Sequence, residues 1–223
     1  MKNKVTIITP TSNSASTIIE NLASIKNQNY DNWEHIIVDN KSTDRTLEII
    51  KKKNREKKIR IISEKDKGIY DAINKGIKLS KGDIISILHS DDFYNNKKVL
   101  SNVVRAFDSN NVDIIYGNLI YVRKHNIKKI LRFWKSASYK KGSFHKGWSP
   151  PHPSFFVKKK IHSRFGDYKI NIGNSADVEL MYRFLELKKI KSKYLDQILI
   201  KMRYGGKSNN NLFEIFRQNL QIL

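Results

Sequence analysis

Residues 63–94 read SEKDKGIYDAINKGIKLSKGDIISILHSDDFY, and this stretch decides the fold. Ile69, Ala72, Ile73 and Ile77 recur at helical spacing. Residues 83–88 (DIISIL) then form a short apolar run that reads as a strand buried on both faces. That strand empties into two adjacent acids, Asp91 and Asp92. The same unit repeats upstream. Residues 5–9 (VTIIT), 34–39 (EHIIVD) and 59–63 (IRIIS) are three more buried-strand runs. Helices lie between them, one carried by Ile18, Ile19, Leu22 and Ile25, the other over residues 43–55 behind a capping Ser42. The order β-α-β-α-β-α-β predicts an α/β fold with a doubly wound, mostly parallel sheet and helices on both faces.

Beyond Asp92 the rhythm changes. One helix is expected over residues 97–107, a strand over 113–116, and two more over 119–122 and 129–133. Residues 135–153 are aromatic, basic and broken by Gly142, Gly147, Pro150, Pro151 and Pro153, which predicts a loop. A strand over 154–157, a helix over 176–187, strands over 190–195 and 198–202, and a final helix over 211–223 complete the reading. No linker or repeat divides the chain, so a single domain over 1–223 is expected.

The chain has 223 residues, of which 39% are hydrophobic, enough to fold around a sizeable core. Without cysteine, it has no disulfide framework, thiolate metal site or cysteine nucleophile, and it suits a reducing cytoplasm. No apolar run approaches the roughly 18 residues that cross a bilayer. The formal charge of +22 draws the protein toward polyanions: nucleic acid, anionic lipid or phosphate-bearing substrates. Charge alone would suit a nucleic-acid-binding protein, yet no recognition helix, zinc finger or aromatic strand motif accompanies it.

In an open parallel sheet, ligands sit beyond the carboxyl ends of the strands, where loops diverge and helix N-termini converge. The first strand ends in Thr9-Pro10-Thr11, the second in Asp39-Asn40-Lys41-Ser42, and the fourth in His89-Ser90-Asp91-Asp92. Asp39 is placed to accept hydrogen bonds from a nucleoside, or equally to cap its own turn. Asp91 and Asp92 repel one another unless a cation or proton separates them, and oxygen ligands of this kind suit Mg²⁺ or Mn²⁺ shared with a diphosphate. The bland alternative is an acidic turn before the next helix. Competing motifs fail: residues 205–208 (GGKS) lack the first glycine of a P-loop, no GxGxxG follows the first strand, and neither HExxH nor GxSxG occurs.

With these acids in view, the chain resembles family 2 glycosyltransferases of the GT-A fold, the bacterial type that builds surface polysaccharides. The resemblance runs through VTIITPTSNSASTI, ASIKNQNYDNWEHIIVDNKSTDRTLEII, residues 63–94, SADVELMYRFL and YGGKS. It implies that Thr9, Pro10 and Thr11 line a nucleotide pocket, that Asp39 binds base or ribose, and that Asp66 and Lys67 lie near the nucleotide-sugar. It further implies Asp92 as ligand of a divalent cation, Mg or Mn, and Asp91 as a donor contact. Asp177 is the implied catalytic base, although capping of its helix would also explain it. His152 and Trp148 fall on the acceptor side. The chain departs from the family at Lys41 and Arg45, where many relatives have glycine, and at His89, where they have Asn.

The expected activity is inverting transfer of a hexosyl or N-acetylhexosaminyl group from a nucleotide-sugar to a glycan or lipid-diphosphate-linked acceptor. Residues 1–95 would form the donor half, 96–205 the acceptor half and 206–223 a helical tail that packs on the domain, a second subunit or lipid. Because the resemblance implies lipid-diphosphate acceptors at the cytoplasmic leaflet, the basic surface fits peripheral binding to an anionic membrane face, and the aromatic residues 133–148 would sit at that interface, stack on acceptor sugar or form an ordinary packed loop. A nucleotidyltransferase would need a Gly-rich basic loop after the first strand, and that loop is missing.

Overall fold

The computed structural model describes residues 2–54 and 58–205. Nine strands form one sheet: β1 (Val5–Thr11), β2 (Trp33–Asp39), β3 (Ile59–Ser63), β4 (Ile84–Ile87), β5 (Phe93–Tyr94), β6 (Ile114–Arg123), β7 (Asn126–Trp134), β8 (Phe156–Lys158) and β9 (Ser192–Arg203). The order is β3-β2-β1-β4-β8-β6-β9-β5, with β7 beside β6. Strands β1 to β4 are mutually parallel; β8 runs antiparallel to both β4 and β6, and β9 is parallel to β6. Six strands therefore share one direction, and β5, β7 and β8 oppose it.

Helices cover both faces because the strands are apolar on both. Ile18 and Leu22 of α1 (Ile18–Lys26) and Ile50 of α2 (Thr46–Lys53) pack on Ile37. On the same face α4 (Val99–Ser109) packs on Val5 and Ile7. The opposite face receives α3 (Ile69–Leu79), α5 (Lys159–Phe165) and α6 (Ala176–Tyr182), whose Ile73, Ile161 and Leu180 surround Ile8 and Tyr116. Gly76 lets α3 lie directly on β1, since an added Cβ would stand 2.4 Å from the Ile8 Cγ2.

The order β3-β2-β1-β4 creates a switch point: the chain winds outward from β1 in one direction and then returns to its other side as β4. The loops after β1 and β4 leave the sheet on either side of that point, beyond which doubly wound sheets place their ligand crevice. Among the described residues no helix is long and apolar enough to cross a membrane.

Two of the expected strand pairs are single strands. β6 runs unbroken through Gly117-Asn118, and β9 through Leu195-Asp196-Gln197, each with a register shift at that point. Polar residues there satisfy one another, with the Asn118 amide donating to Asp196 Oδ1 at 2.9 Å. The two-residue β5 and the helix α5 were not anticipated. The helix expected over 176–187 is α6 followed by a π turn, Arg183–Leu187. The helix expected over 211–223 lies outside the described residues.

Candidate active site

Register places the candidate acids along one rim. Thr11 pairs with Asp39 at the ends of β1 and β2, and Ile8 pairs with Ile87 on the other side of β1. The loops are then tied together. Asn13 N donates to Ser42 Oγ at 2.8 Å, and Asn13 Oδ1 accepts from Thr43 N at 2.9 Å. Across the switch point, Ser14 Oγ and Ser90 Oγ are 2.8 Å apart.

At the end of β1, Thr9, Pro10 and Thr11 are all buried. Thr9 Oγ1 is 2.8 Å from His35 Nε2, so its side chain closes the strand pair, and burial holds the His35 imidazole neutral with its pKa pushed down to about 3. Asp39 is fully enclosed: Ser42 N at 3.0 Å, the Ser42 hydroxyl and Ser63 Oγ at 2.7 Å all donate to its carboxylate. That occupies three of its roughly four lone-pair directions. Asp66 N donates to Asn40 Oδ1 at 3.1 Å, and Asp66 Oδ1 accepts from Gly68 N at 2.9 Å, while Lys67 is exposed. Gly68 has φ +124°, a left-handed conformation that turns the chain into α3.

The acidic turn is fastened from both sides. The Asn21 amide of α1 donates to the carbonyls of His89 at 2.8 Å and Asp92 at 3.0 Å. Arg203, at the end of β9, donates from Nη1 to the Asp91 carbonyl at 2.7 Å and from its backbone N–H to Asp92 Oδ1 at 3.3 Å. Asp91 remains partly exposed, whereas Asp92 is completely buried and its Oδ2 has no partner among the described residues. Burial first, then the neighbouring Asp91, raises the Asp92 carboxyl well above the usual carboxylate range. An orphaned oxygen beside a second acid fits a divalent cation. Among the described residues no three His, Cys, Asp or Glu side chains gather to hold one unaided. That matches an ion bound through one or two carboxylates and completed by water and diphosphate.

Asp177 lies near this turn through two imidazoles. His89 and His152 meet edge to face with ring centroids 6.0 Å apart, and His152 Nδ1 is 4.0 Å from Asp177 Oδ2. His152 Nε2 is 2.7 Å from the Tyr168 hydroxyl, which burial keeps protonated. Burial, reinforced by His89, pushes the His152 pKa down to about 3. It is therefore neutral and supplies no cation to Asp177. The Asp177 carboxyl is three-quarters enclosed and is pushed up to about 6 by desolvation, against the opposing pull of backbone N–H groups and the Tyr70 hydroxyl. Val178 N donates to Asp177 Oδ1 at 2.8 Å.

Trp148 sits in an aromatic cluster with Phe144 at 5.6 Å, Tyr139 at 6.1 Å and Tyr116 at 6.2 Å. Phe144 is 2% exposed, so the aromatic loop turns these side chains inward. Sequence reading missed Asn21, Tyr70, Tyr168 and Arg203. Asn21, Tyr70 and Arg203 lie far along the chain from the acids or acidic turn they serve, and Tyr168 sits in a loop and reaches His152, so no local motif marks them.

The family 2 glycosyl transferase pattern, "Glycosyl transferase family 2", matches residues 6–163. The chain belongs to this family. It is therefore a glycosyltransferase of GT-A-like fold, and several relatives are similar to it. An uncharacterized glycosyltransferase of Rickettsia bellii is 33% identical over 144 residues, 64% of this chain and 20% of that protein. The PGL/p-HBAD biosynthesis glycosyltransferase Rv2957 of Mycobacterium tuberculosis is 27% identical over 218 residues, 96% of this chain and 82% of the relative. In Escherichia coli, the UDP-Glc:alpha-D-GlcNAc-diphosphoundecaprenol beta-1,3-glucosyltransferase WfgD is 31% identical over 124 residues, 55% of this chain and 48% of its own. Staphylococcus aureus TarS 1-349 in complex with UDP-GlcNAc superposes with a TM-score of 0.72 at 18% identity, covering 98% of this chain and 66% of its own. The mannosyltransferase PcManGT of Pyrobaculum calidifontis, in complex with GDP-Man and Mn²⁺, gives 0.68 at 19% identity, with 93% and 59% covered. At these identities the structural likeness concerns the fold.

Proposed function

We propose that this glycosyltransferase moves a hexosyl or N-acetylhexosaminyl group, with inversion, from a nucleotide-sugar to a glycan or lipid-diphosphate-linked acceptor in surface-polysaccharide synthesis. The reading rests on one juxtaposition: the Asp177 carboxyl 4.0 Å from His152, which meets His89 at the start of the acidic turn. Neighbours that hold UDP-GlcNAc, or GDP-Man with Mn²⁺, and a relative named for transfer from UDP-Glc support the donor class.

In this reading residues 1–95 take the donor. Thr9, Pro10, Thr11 and Asp39 form the nucleotide end, Asp66 and Lys67 flank it, and Asp91 meets the sugar-diphosphate. A Mg²⁺ or Mn²⁺ ion would be held by Asp92 next to Asp91 and, when bound, would neutralise the diphosphate. Residues 96–205 take the acceptor, with His152 and Trp148 on that side and the reaction at the cytoplasmic membrane face.

Asp177 removes the proton of the attacking hydroxyl. A carboxyl titrating at about 6 is mostly ionised near neutral pH yet basic enough to accept a proton as attack develops. His152 positions it: with the Tyr168 hydroxyl, 2.7 Å away, donating to Nε2, the ring proton would sit on Nδ1, which faces Asp177 at 4.0 Å. Because His152 stays neutral, it orients the base without drawing down its basicity.

The Asp177→Asn protein tests this reading. It keeps an acceptor for the Val178 N–H, so the donor-induced thermal shift should persist while turnover falls about 10²- to 10⁴-fold. Turnover within a factor of a few of the native rate would remove the base assignment. On the metal side, Asp92→Asn should abolish the cation-dependent part of donor binding; loss in Asp91→Asn alone would transfer the ligand role to Asp91.

A further inference from the structure

Residues 114–166 contain no aspartate or glutamate. Within that span the β6–β7 hairpin carries Arg123, Lys124, Lys128, Lys129 and Arg132, followed by Lys135. Strand β7 pairs only with β6 among the described strands, so its other edge is unpaired there. Three of its apolar side chains are exposed, Ile130 at 58%, Leu131 at 45% and Phe133 at 50%, while Ile127 and Trp134 pack against the core. A register shift between Tyr121 and Val122, where their partners are Arg132 and Ile130, leaves Leu131 as an extra residue on the β7 side. Such a bulge adds local twist and disfavours a further strand on that edge.

We infer that this hairpin is a docking surface for an anionic lipid bilayer. Three exposed apolar side chains interleaved with lysine and arginine suit the headgroup boundary, where aliphatic groups enter the acyl region and cations meet lipid phosphates. Single-stranded nucleic acid would be met by a row of stacking platforms, whereas Phe133 is the one ring among these three side chains and Ile130 and Leu131 offer none. Arg132 already lies over the Tyr121 and Trp134 rings at 5.6 and 5.7 Å, so two aromatic faces of this hairpin are engaged.

The hairpin also adjoins the acidic rim. Arg203 donates from Nη1 to the Asp91 carbonyl at 2.7 Å and from Nε to the Lys124 carbonyl at 3.4 Å, so one guanidinium spans the acidic turn and the hairpin turn. A bilayer seated on β7 therefore lies beside the rim that carries Asp91. The surface is distinct from the aromatic loop of residues 135–153, whose Phe144 and Trp148 pack inward. Docking here rests on the proposed reaction at the membrane face, and holds whichever sugar is transferred and whether or not Asp177 is the base.

The test is sedimentation of the full chain with vesicles of phosphatidylcholine alone or mixed with phosphatidylglycerol, at low and high salt. Binding should require the anionic lipid and weaken with salt as the Debye length shortens. Lys128→Glu with Lys129→Glu, and separately Ile130→Ser, Leu131→Ser and Phe133→Ser together, should each lower partitioning at least about tenfold. A control with Lys51, Lys52 and Lys53 of α2 changed to Glu, an equal or larger loss of charge, should bind far better than either. Equal binding to neutral vesicles, or unchanged binding by both β7 variants, would overturn the proposal. So would a fall in melting temperature of the Ile130/Leu131/Phe133 variant without loss of lipid binding, which would mark β7 as covered by the chain itself. Tight, salt-sensitive binding of a DNA oligomer without vesicle binding would assign the cations to nucleic acid instead. A donor-induced thermal shift, measured in parallel, separates failure of docking from failure of the catalytic site.

Discussion

Asp177 is held at a cost that its own titration reveals. Its native pKa of about 6 lies above the ordinary 3.8, so the folded state keeps the proton more tightly than the unfolded chain. Stability from this group is therefore lost as pH rises from about 4 through 6. Asp177→Asn should melt no lower than the native protein at pH 7.5, while the acid limb of the native rate profile falls near pH 6. A marked loss of melting temperature would make Asp177 a structural cap. Lys41 offers the opposite case. Its φ of +45° is a left-handed conformation, which costs a side chain about 1–2 kcal/mol that glycine avoids. Lys41→Gly should therefore stabilise by about 0.5–1 kcal/mol after glycine's extra chain entropy, read as a rise of a few degrees in melting temperature. The resemblance flagged this position by its departure from glycine, and backbone geometry supplies the reason.

At the scale of elements, β1 to β4 and the helices between them were legible because strands buried on both faces need continuous apolar runs and their covering helices need a 3.6-residue repeat. What was illegible obeys other constraints. β6 and β9 each cross a polar interruption, which the sequence reads as a break, but Asn118 and Asp196 satisfy each other across it and the strands continue. β5 is too short to show a period, and α5 is only seven residues long. The close approach of α3 to β1 yields a sign that helix propensity alone would miss. Gly→Ala in a helix ordinarily gains about 1 kcal/mol, but at Gly76 the new Cβ would meet Ile8, a fully buried side chain. Overpacking of about 1–3 kcal/mol should prevail, so Gly76→Ala should lower the melting temperature by a few degrees. An increase would mean that β1 can retreat from α3.

Across the whole molecule, the strand order sets acids from two distant segments along one rim, and helix α6 adds a third beside them. Asp39 stands at the end of β2, Asp91 and Asp92 beyond β4 at the switch point, and Asp177 reaches them through His152 and His89. Asp39, Asp91 and Asp92 were readable as strand-end residues, because sheet topology determines which ends face the crevice, whereas Asp177, in the first turn of α6, was marked only by the resemblance. The tyrosines, Asn21 and Arg203 were not, since only the closed fold sets them beside the acids. Charge is divided on the same scale: the acidic rim adjoins a hairpin within a stretch that holds no acid at all. The most direct measurement is a panel of nucleotide-sugars with Mn²⁺ or Mg²⁺, scored by thermal shift and donor hydrolysis in the native and Asp92→Asn proteins. One donor class should raise the native melting temperature and be hydrolysed slowly, with both effects lost in EDTA and in the variant. Full donor response in EDTA, or none with any nucleotide-sugar, would contradict the account of the acidic rim as a cation-assisted donor site.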